Sequence, residues 1–218
     1  MIAELLPASA VSAEAFDDET PVELFPAELE AVGKGAVGKR RREFATARGC
    51  AHRALGELGL EPGPVPAGER GEPLWPEGVV GSITHCDGYR GCALGRAAEL
   101  ATIGVDAEPH EALPQGLLGD VAVAAERAML AELAAATPAI HWDRLLFSAK
   151  ESVYKAWFPL ARRWLGFEDA ELTIDPAGAF AARLLVPGPR LGGAELRGFE
   201  GRWLVRDGLL LTAIAVRT

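Results

Sequence analysis

Residues 142–160 read WDRLLFSAKESVYKAWFPL, and this stretch decides how the chain folds. At about 100° per residue, a helix here places one set of apolar side chains on a single face. That set is Leu146, Ala149, Val153, Ala156, Trp157 and Leu160. A second, aromatic stripe contains Phe147, Tyr154 and Phe158. A helix with two apolar faces is usually packed on both sides, so we expect this one to be enclosed between other elements.

Two charged residues of this helix, Glu151 and Lys155, point away from the first apolar face. They lie one turn apart, and the aromatic stripe runs beside Glu151. One interpretation is an ordinary helix-surface pair, which contributes only about 0.3 kcal/mol. The other is a pair of functional groups at a partly enclosed site. The helix alone does not decide between them.

The stretch IGVDAEP (residues 103–109) reads as a buried strand that carries two carboxylates. Side chains alternate along a strand, so Asp106 and Glu108 share one face while Ile103, Val105 and Ala107 share the other. Two such charges repel by roughly several kcal/mol where the dielectric is low, which gives the pair a need for a cation. With Glu151 nearby, three carboxylates would form a hard oxygen site of the kind that holds Mg²⁺.

The rest of the chain repeats one order of elements, a helix followed by strands. The pattern predicts helix from Pro26 to Leu60, broken near Gly35–Gly38, and a Pro/Gly-rich loop at 61–78. Strands then follow as VVGSITH, YRGCALG and TIGVDAE, and after Gly166 as ELTI, AFAARLLV, RWLVRD and LLLTAIAV. This order predicts an α+β fold of two similar helix-plus-antiparallel-sheet halves, residues 1–110 and 111–218, packed side by side with pseudo-twofold symmetry.

Bulk properties exclude several classes of function. The chain has 218 residues and a net charge of −9, which argues against general nucleic-acid binding. No stretch approaches the roughly 20 apolar residues of a membrane span, and no basic residue precedes the apolar opening, so we expect neither a membrane protein nor a secretory leader. The chain contains 3 cysteines without CxxC spacing, which favours a reducing, cytoplasmic location.

Positive charge is local in this acidic chain. The segment GKGAVGKRRREF (residues 33–44) is its most basic stretch, although such a run can also be a solvated helix start. Arg48 lies at the edge of an apolar stripe, where a guanidinium requires an anion. With Lys150 and Lys155, these residues would surround the carboxylates with anion ligands. A metal ion and several cations together indicate a polyphosphate substrate.

Three motifs carry a family resemblance. GSITHC (81–86), IGVDAEP (103–109) and FSAKESVYKAW (147–157), in this order and spacing, resemble the signature motifs of the phosphopantetheinyl transferase superfamily. REFATAR (42–48) and GEPLWPEG (71–78) resemble its surfactin/enterobactin-synthetase-activating type, in particular the enterobactin and mycobacterial subgroup. The resemblance runs from about residue 40 to residue 158.

The resemblance implies transfer of phosphopantetheine from coenzyme A to a serine of an apo acyl or peptidyl carrier protein, with release of adenosine 3′,5′-bisphosphate. It implies that Asp106 and Glu108 bind Mg²⁺, assisted by the carbonyl of Ala107. Glu151 would help to hold the metal and accept the serine proton, and Lys155 would contact the pyrophosphate. The implied coenzyme A ligands are Arg40, Arg48, Thr84, His85 and the loop Ala67, Gly68, Glu69 and Arg70. Ala67 stands where some relatives place a lysine, and Arg40, Arg41 and Arg42 compete for one role.

Two alternative functions remain open at this point. One is a magnesium-dependent hydrolase of coenzyme A or of a nucleotide pyrophosphate, and the other is a non-catalytic module that binds carrier protein or coenzyme A. Glu151 speaks against the module, which needs no base beside a metal pair.

Carrier docking and oligomeric state are further expectations. Leu117, Leu118, Val121 and Met129 either dock the carrier or pack into the second half, while Asp120, Glu126 and Glu132 are interpreted as solvated helix charges. Two halves in one chain can form a cleft between them, which favours a monomer.

Overall fold

The computed structural model describes residues 1–32 and 38–218, and its strands pair in antiparallel fashion throughout those ranges. The helices are α1 (Pro26–Val32), α2 (Gly38–Glu57), α3 (Leu117–Val121), α4 (Ala124–Ala136) and α5 (Trp142–Ala161). The strands are β1 (Ala10–Ala15), β2 (Val79–Cys86), β3 (Tyr89–Arg96), β4 (Leu100–Pro109), β5 (Ala170–Asp175), β6 (Ala179–Leu184), β7 (Arg190–Leu191), β8 (Ala194–Glu195), β9 (Gly198–Arg206) and β10 (Leu209–Arg217).

The first half places α2 against a three-stranded sheet of order β1-β3-β2. Cys50, Ala51 and Leu55 of the helix are buried in one cluster with Cys92 and Leu94 of β3. These apolar residues recur at helical spacing on α2 and at alternate positions on β3, so each element contributes one face. Most of the predicted helix break, residues 35–37, lies outside the described residues.

The second half places α5 against a five-stranded sheet of order β4-β10-β9-β6-β5. The predicted core face is confirmed, because Leu146, Ala149, Val153, Ala156 and Trp157 are all buried. Leu160, near the end of the helix, is only half-buried. On the side of the aromatic stripe the enclosure is partial, since Phe158 is buried whereas Phe147 and Tyr154 are half-buried.

Strand β4 and helix α5 run in opposite directions with matched steps. Two residues along a strand advance about 6.6 Å and four residues along a helix advance about 6 Å. A contact between β4 and α5 therefore recurs at every second residue of the strand and every fourth residue of the helix. The contacting pairs are Thr102 with Ala156, Gly104 with Ser152, Asp106 with Ser148, and Glu108 with Arg144. Gly104 permits this approach, because a side chain there would collide with the backbone oxygen of Ser152. The register brings the D-x-E face onto the helix that carries Glu151.

The α+β prediction is therefore confirmed, with two helix-plus-sheet halves side by side. Each half is built on a helix of 20 residues, α2 in one and α5 in the other. Strand β4 is hydrogen-bonded to β10, and it contacts β2 through Ser82, which accepts from the amide of Val105 at 3.1 Å. Within the described ranges, no helix combines the length and apolar character needed to cross a bilayer.

Candidate active site

Asp106 lies at the centre of the junction between β4, β2 and α5. Its Oδ1 accepts hydrogen bonds from Lys155 Nζ at 2.7 Å and from Thr84 Oγ1 at 3.3 Å. Its Oδ2 accepts from Ser148 Oγ at 2.8 Å. The side chain is buried, so these donors replace the water that a carboxylate otherwise requires. Both oxygens are thereby held in fixed orientations.

Glu108 is paired with a cation that sequence reasoning missed. Arg144 Nη1 donates to Glu108 Oε2 at 2.8 Å, while the same guanidinium donates to the carbonyls of Glu111 and Ala112. Burial, and then the charge of Asp106, raise the pKa of Glu108 above its ordinary value. The predicted repulsion within the D-x-E pair is therefore present, and Lys155 and Arg144 compensate it from α5. Arg144 lies outside the three motifs, but its position eleven residues before Lys155 puts it on the same helix.

Glu151 lies half-buried between two cavities of about 510 and 130 Å³. Desolvation raises its pKa, and the charge of Asp106 raises it further, while Lys155 opposes the shift. Lys155 directs its ion pair to Asp106 and also donates to the carbonyl of Val105 at 3.1 Å. The interpretation of Lys155 as the partner of Glu151 in a helix-surface pair is therefore wrong.

The three carboxylates fit a magnesium ion by their chemistry. They are hard oxygen donors, and Asp106 raises the pKa of both other carboxyls, so the three groups interact electrostatically. Over residues 1–32 and 38–218, however, no set of three acidic, histidine or cysteine side chains is arranged as a ready-made metal cage. The reason is that Asp106 and Glu108 each turn toward a basic side chain.

A basic cavity of about 580 Å³ opens between α2 and the end of β2. Lys39, Arg40, Arg48 and His85 line it. Arg48 is only 5% exposed, and its Nε has no hydrogen-bond partner among the described residues. Its guanidinium lies 4.4 Å from the centre of the Phe44 ring, which fixes the plane of the group. A buried cation with an unused donor is an anion site by its chemistry.

The basic cavity adjoins the cavity that contains Glu151 and Lys155. The two share Gly71, Pro73 and Ile83 in their walls, so one groove runs from the cations to the carboxylates. Desolvation, followed by the charge of Lys155, lowers the pKa of His85. Beyond Lys155 the groove becomes apolar and aromatic, with Trp75, Tyr154 and Phe158 in its wall.

Only some of the predicted coenzyme A ligands line the groove. Arg40 lines the basic cavity, whereas Arg41 and Arg42 are exposed outside its wall. Arg70 lines the groove. Ala67 pairs with Pro73, and the amide of Gly68 donates to the carbonyl of Glu72, so both residues lie in a tight turn. Glu69 is exposed.

Thr84 is buried away from the groove, in contrast to the prediction that it binds coenzyme A. Its hydroxyl donates to Asp106 and accepts from the amide of Ala107 at 2.9 Å. The reason is strand alternation: the hydroxyls of Ser82 and Thr84 bond to the amides of β4, whereas Ile83 and His85 line the basic cavity. Ala107 itself is fully buried in the core, as the alternation predicted.

The prediction that Lys150 is an anion ligand is wrong. Lys150 is buried and forms an ion pair with Glu126 at 2.9 Å, and its ammonium also donates to the carbonyls of Phe167 and Ala170. The interpretation of Glu126 as a solvated charge is wrong for the same reason, because Glu126 is fully buried and accepts from the amides of Val123 and Leu172. Helical periodicity predicted which positions are polar, but it did not predict that α4 covers this side of α5.

Comparison with known families and proteins adds independent information. The family model described as "4'-phosphopantetheinyl transferase N-terminal domain" matches residues 27–95, and the one described as "4'-phosphopantetheinyl transferase superfamily" matches residues 102–199.

Individual relatives span most of the chain. This chain is 59% identical to 4'-phosphopantetheinyl transferase Svp of Streptomyces mobaraensis, over 99% of this chain and 89% of that protein. It is 46% identical to 4'-phosphopantetheinyl transferase PptT of Mycobacterium tuberculosis, over 99% of this chain and 98% of that protein. Enterobactin synthase component D of Salmonella typhimurium is 33% identical, over 85% of this chain and 76% of that protein.

Proposed function

The chain belongs to the 4'-phosphopantetheinyl transferase superfamily and is an enzyme that transfers phosphopantetheine from coenzyme A to carrier proteins, and we propose the residues that perform this transfer. The central proposal is that Asp106, Glu108 and Glu151 hold a magnesium ion, with the Ala107 carbonyl assisting. The observation that supports it is the β4 to α5 register, which sets Asp106 and Glu108 against the helix whose Glu151 and Lys155 line a groove, and the other end of this groove is cationic.

Coenzyme A fits this groove in one direction. Its phosphates require cations, which Lys39, Arg40 and Arg48 supply at one end, where His85 adds a ring N–H donor. The pyrophosphate then lies toward Lys155, and the pantetheine arm continues along the apolar wall beyond it. Of the loop Ala67–Arg70, Arg70 is the side chain that lines the groove, and Thr84 serves by orienting Asp106.

The reaction replaces the phosphoanhydride bond of coenzyme A with a phosphoester bond to serine. The serine oxygen of the carrier bonds to the phosphorus that bears pantetheine, the bond from that phosphorus to the adenosine side breaks, and adenosine 3′,5′-bisphosphate leaves. Glu151, which lines the groove beside Lys155, accepts the serine proton. Lys155 neutralises charge that develops on the leaving phosphate. When bound, magnesium supplies further neutralisation of the pyrophosphate.

The remaining features of the proposal concern organisation and partners. We keep the division near residue 110 as a proposal for the order of elements along the chain, with strand β4 of the first half completing the sheet of the second. The working unit is a monomer and its location the cytoplasm. The partners are apo acyl or peptidyl carrier domains, without nucleic acid or membrane.

The docking surface is narrower than the sequence suggested. Val121 is 1% exposed and Met129 packs against β5, so both belong to the core, which leaves Leu117 and Leu118 as half-buried candidates on α3.

One assay separates this function from the two alternatives. Apo carrier protein, coenzyme A and the enzyme are incubated with Mg²⁺ or with a chelator, and both the mass of the carrier and the amount of coenzyme A are measured. Transfer gives a carrier that gains phosphopantetheine only with Mg²⁺. A hydrolase would consume coenzyme A and leave the carrier mass unchanged, and a binding module would change neither quantity.

A further inference from the structure

Three buried hydroxyl groups form a chain beneath Asp106. Thr212 of β10 and Ser148 and Ser152 of α5 are each 0% exposed. Ser152 Oγ lies 2.7 Å from Thr212 Oγ1, and Thr212 Oγ1 lies 3.0 Å from Ser148 Oγ. Ser148 Oγ in turn donates to Asp106 Oδ2 at 2.8 Å. The series therefore ends on the carboxylate that the proposed function places at the metal.

The direction of these hydrogen bonds follows from the carboxylate of Asp106, on which the series of hydroxyl groups ends. An ionised carboxylate only accepts, so the single proton of Ser148 is committed to Asp106. Ser148 Oγ is then left as an acceptor, and Thr212 is the hydroxyl that reaches it; Thr212 Oγ1 lies 3.0 Å from this oxygen and 3.0 Å from the Ser148 carbonyl, so it can donate to either. Thr212 Oγ1 can accept in turn from Ser152 at 2.7 Å, and the Ser152 hydroxyl also reaches the Thr212 carbonyl at 3.2 Å. Each bond polarises the next toward Asp106.

We propose that Thr212 is a positioning residue of the transferase, which acts through Ser148 to hold Asp106 in its metal-binding orientation. The inference rests on the proposed role of Asp106. Thr212 lies in the last strand, outside the three signature motifs and past residue 199, where the match to the superfamily model ends. It reaches the site because β10 is hydrogen-bonded to β4, with Thr212 opposite Asp106 in the register.

We expect removal of the Thr212 hydroxyl to weaken metal binding more than it destabilises the fold. Groups that orient a metal ligand typically change metal affinity by about 10- to 100-fold when removed. Thr212→Val keeps the shape and removes the hydroxyl, so Ser148 loses the donor that fixes its orientation. Thr212→Ser keeps the hydroxyl and removes one buried methyl group, which affects packing alone.

The test measures binding of Mn²⁺, as a spectroscopic probe for Mg²⁺, to the full chain by electron paramagnetic resonance, with urea unfolding of each variant alongside. Thr212→Val is expected to bind Mn²⁺ about tenfold more weakly, and Thr212→Ser within about twofold of the parent chain. The matched control is Thr46→Val on α2, which removes a buried hydroxyl that donates to the carbonyl of Arg42 and has no link to Asp106. Thr212→Ala also removes the hydroxyl that reaches Ser148, and it replaces Thr212→Val in the comparison if the valine variant does not fold.

The Asp106→Asn variant separates the role of Thr212 from the assignment of Asp106 as a metal ligand. If Asp106→Asn lowers Mn²⁺ affinity while Thr212→Val, or Thr212→Ala in its place, leaves it at the parent value, the role of Thr212 is overturned and the metal assignment stands. Equal loss in Thr212→Ser and Thr212→Val would also overturn it, since packing would then explain both. If Asp106→Asn has no effect on Mn²⁺ affinity, the metal assignment itself fails.

Discussion

Lys155 Nζ lies 2.7 Å from Asp106 Oδ1, so an ion pair joins the helix of the proposed base to the strand of the D-x-E pair. The Lys155 side chain is 27% exposed and borders the groove, whereas Asp106 is buried behind it. In the unliganded chain the two charges compensate each other. The proposed function requires both to change partner, Asp106 toward the metal and Lys155 toward the pyrophosphate.

The role of Glu151 as base predicts a separation of binding from transfer. Glu151→Gln keeps the shape but cannot accept the serine proton, so the transfer rate should fall by roughly 100-fold or more while coenzyme A still binds. Rates come from the mass of the carrier, and binding comes from calorimetry. Glu132→Gln, on the exposed side of α4, is the control. A Glu151→Gln rate within a few-fold of the parent enzyme would remove Glu151 from this role.

The buried guanidinium of Arg48 predicts a loss of coenzyme A affinity. Arg48→Ala should weaken binding by about 1.5 to 3 kcal/mol, because a charge-assisted contact in a desolvated cavity is lost. Arg41→Ala, an exposed neighbour outside the cavity wall, should change binding little. If the 3′-phosphate is its partner, the loss should be smaller for an analogue that lacks this phosphate. Equal losses for both ligands would assign Arg48 to another part of coenzyme A.

The buried pair of Lys150 and Glu126 predicts a stability effect. Glu126→Gln should lower the free energy of unfolding by about 3 to 5 kcal/mol, since it leaves the Lys150 ammonium buried without its counter-ion. The double change Glu126→Gln with Lys150→Met should restore part of that loss, because no buried charge remains while the Gln oxygen still accepts from the backbone. Urea unfolding measures both. If the double variant is as unstable as the single one, the unpaired charge is not the cause of the loss.

Much of the fold follows from periodicity in this sequence. The core face of α5 and the alternation of β4 were both predicted, because apolar positions repeat at the period of each element. The register between them was not predictable from either pattern alone. It depends on Gly104, whose missing side chain lets the helix approach, and the sequence offers many glycines without such a role.

The candidate site was predicted less completely than the fold. Motif spacing identified Asp106, Glu108 and Glu151, since these carry the family pattern. It misassigned Lys150, and it did not identify Arg144 or Thr212, because a residue's partner depends on tertiary packing from distant segments. Arg144 pairs across 36 positions, and Thr212 reaches Ser148 across 64.

His110 predicts an acid-dependent loss of stability. Its Nε2 accepts a hydrogen bond from the amide of His141 at 3.2 Å, a bond that a protonated ring cannot accept. Burial and the charge of His141 lower the pKa of His110 below its ordinary 6.5. The unfolded chain therefore binds the proton more readily, so this contribution is complete above the ordinary pKa and is lost as the pH falls below it.

The measurement compares unfolding free energies at about pH 7.5 and about pH 5.5. The parent chain should lose more stability over this interval than His110→Gln, in which the side chain does not titrate. Identical losses in the two proteins would show that His110 makes no acid-dependent contribution.

The most direct test of the account is the mass of an apo carrier protein after incubation with coenzyme A, Mg²⁺ and an Asp106→Asn enzyme. Asn keeps the size of the side chain and an acceptor for Ser148, so folding should be retained while the charge for the metal is lost. The account predicts that the parent enzyme, and the control Asp207→Asn at an exposed turn, convert the carrier fully. Asp106→Asn should leave it in the apo form. Conversion at the parent rate by folded Asp106→Asn enzyme would contradict the account.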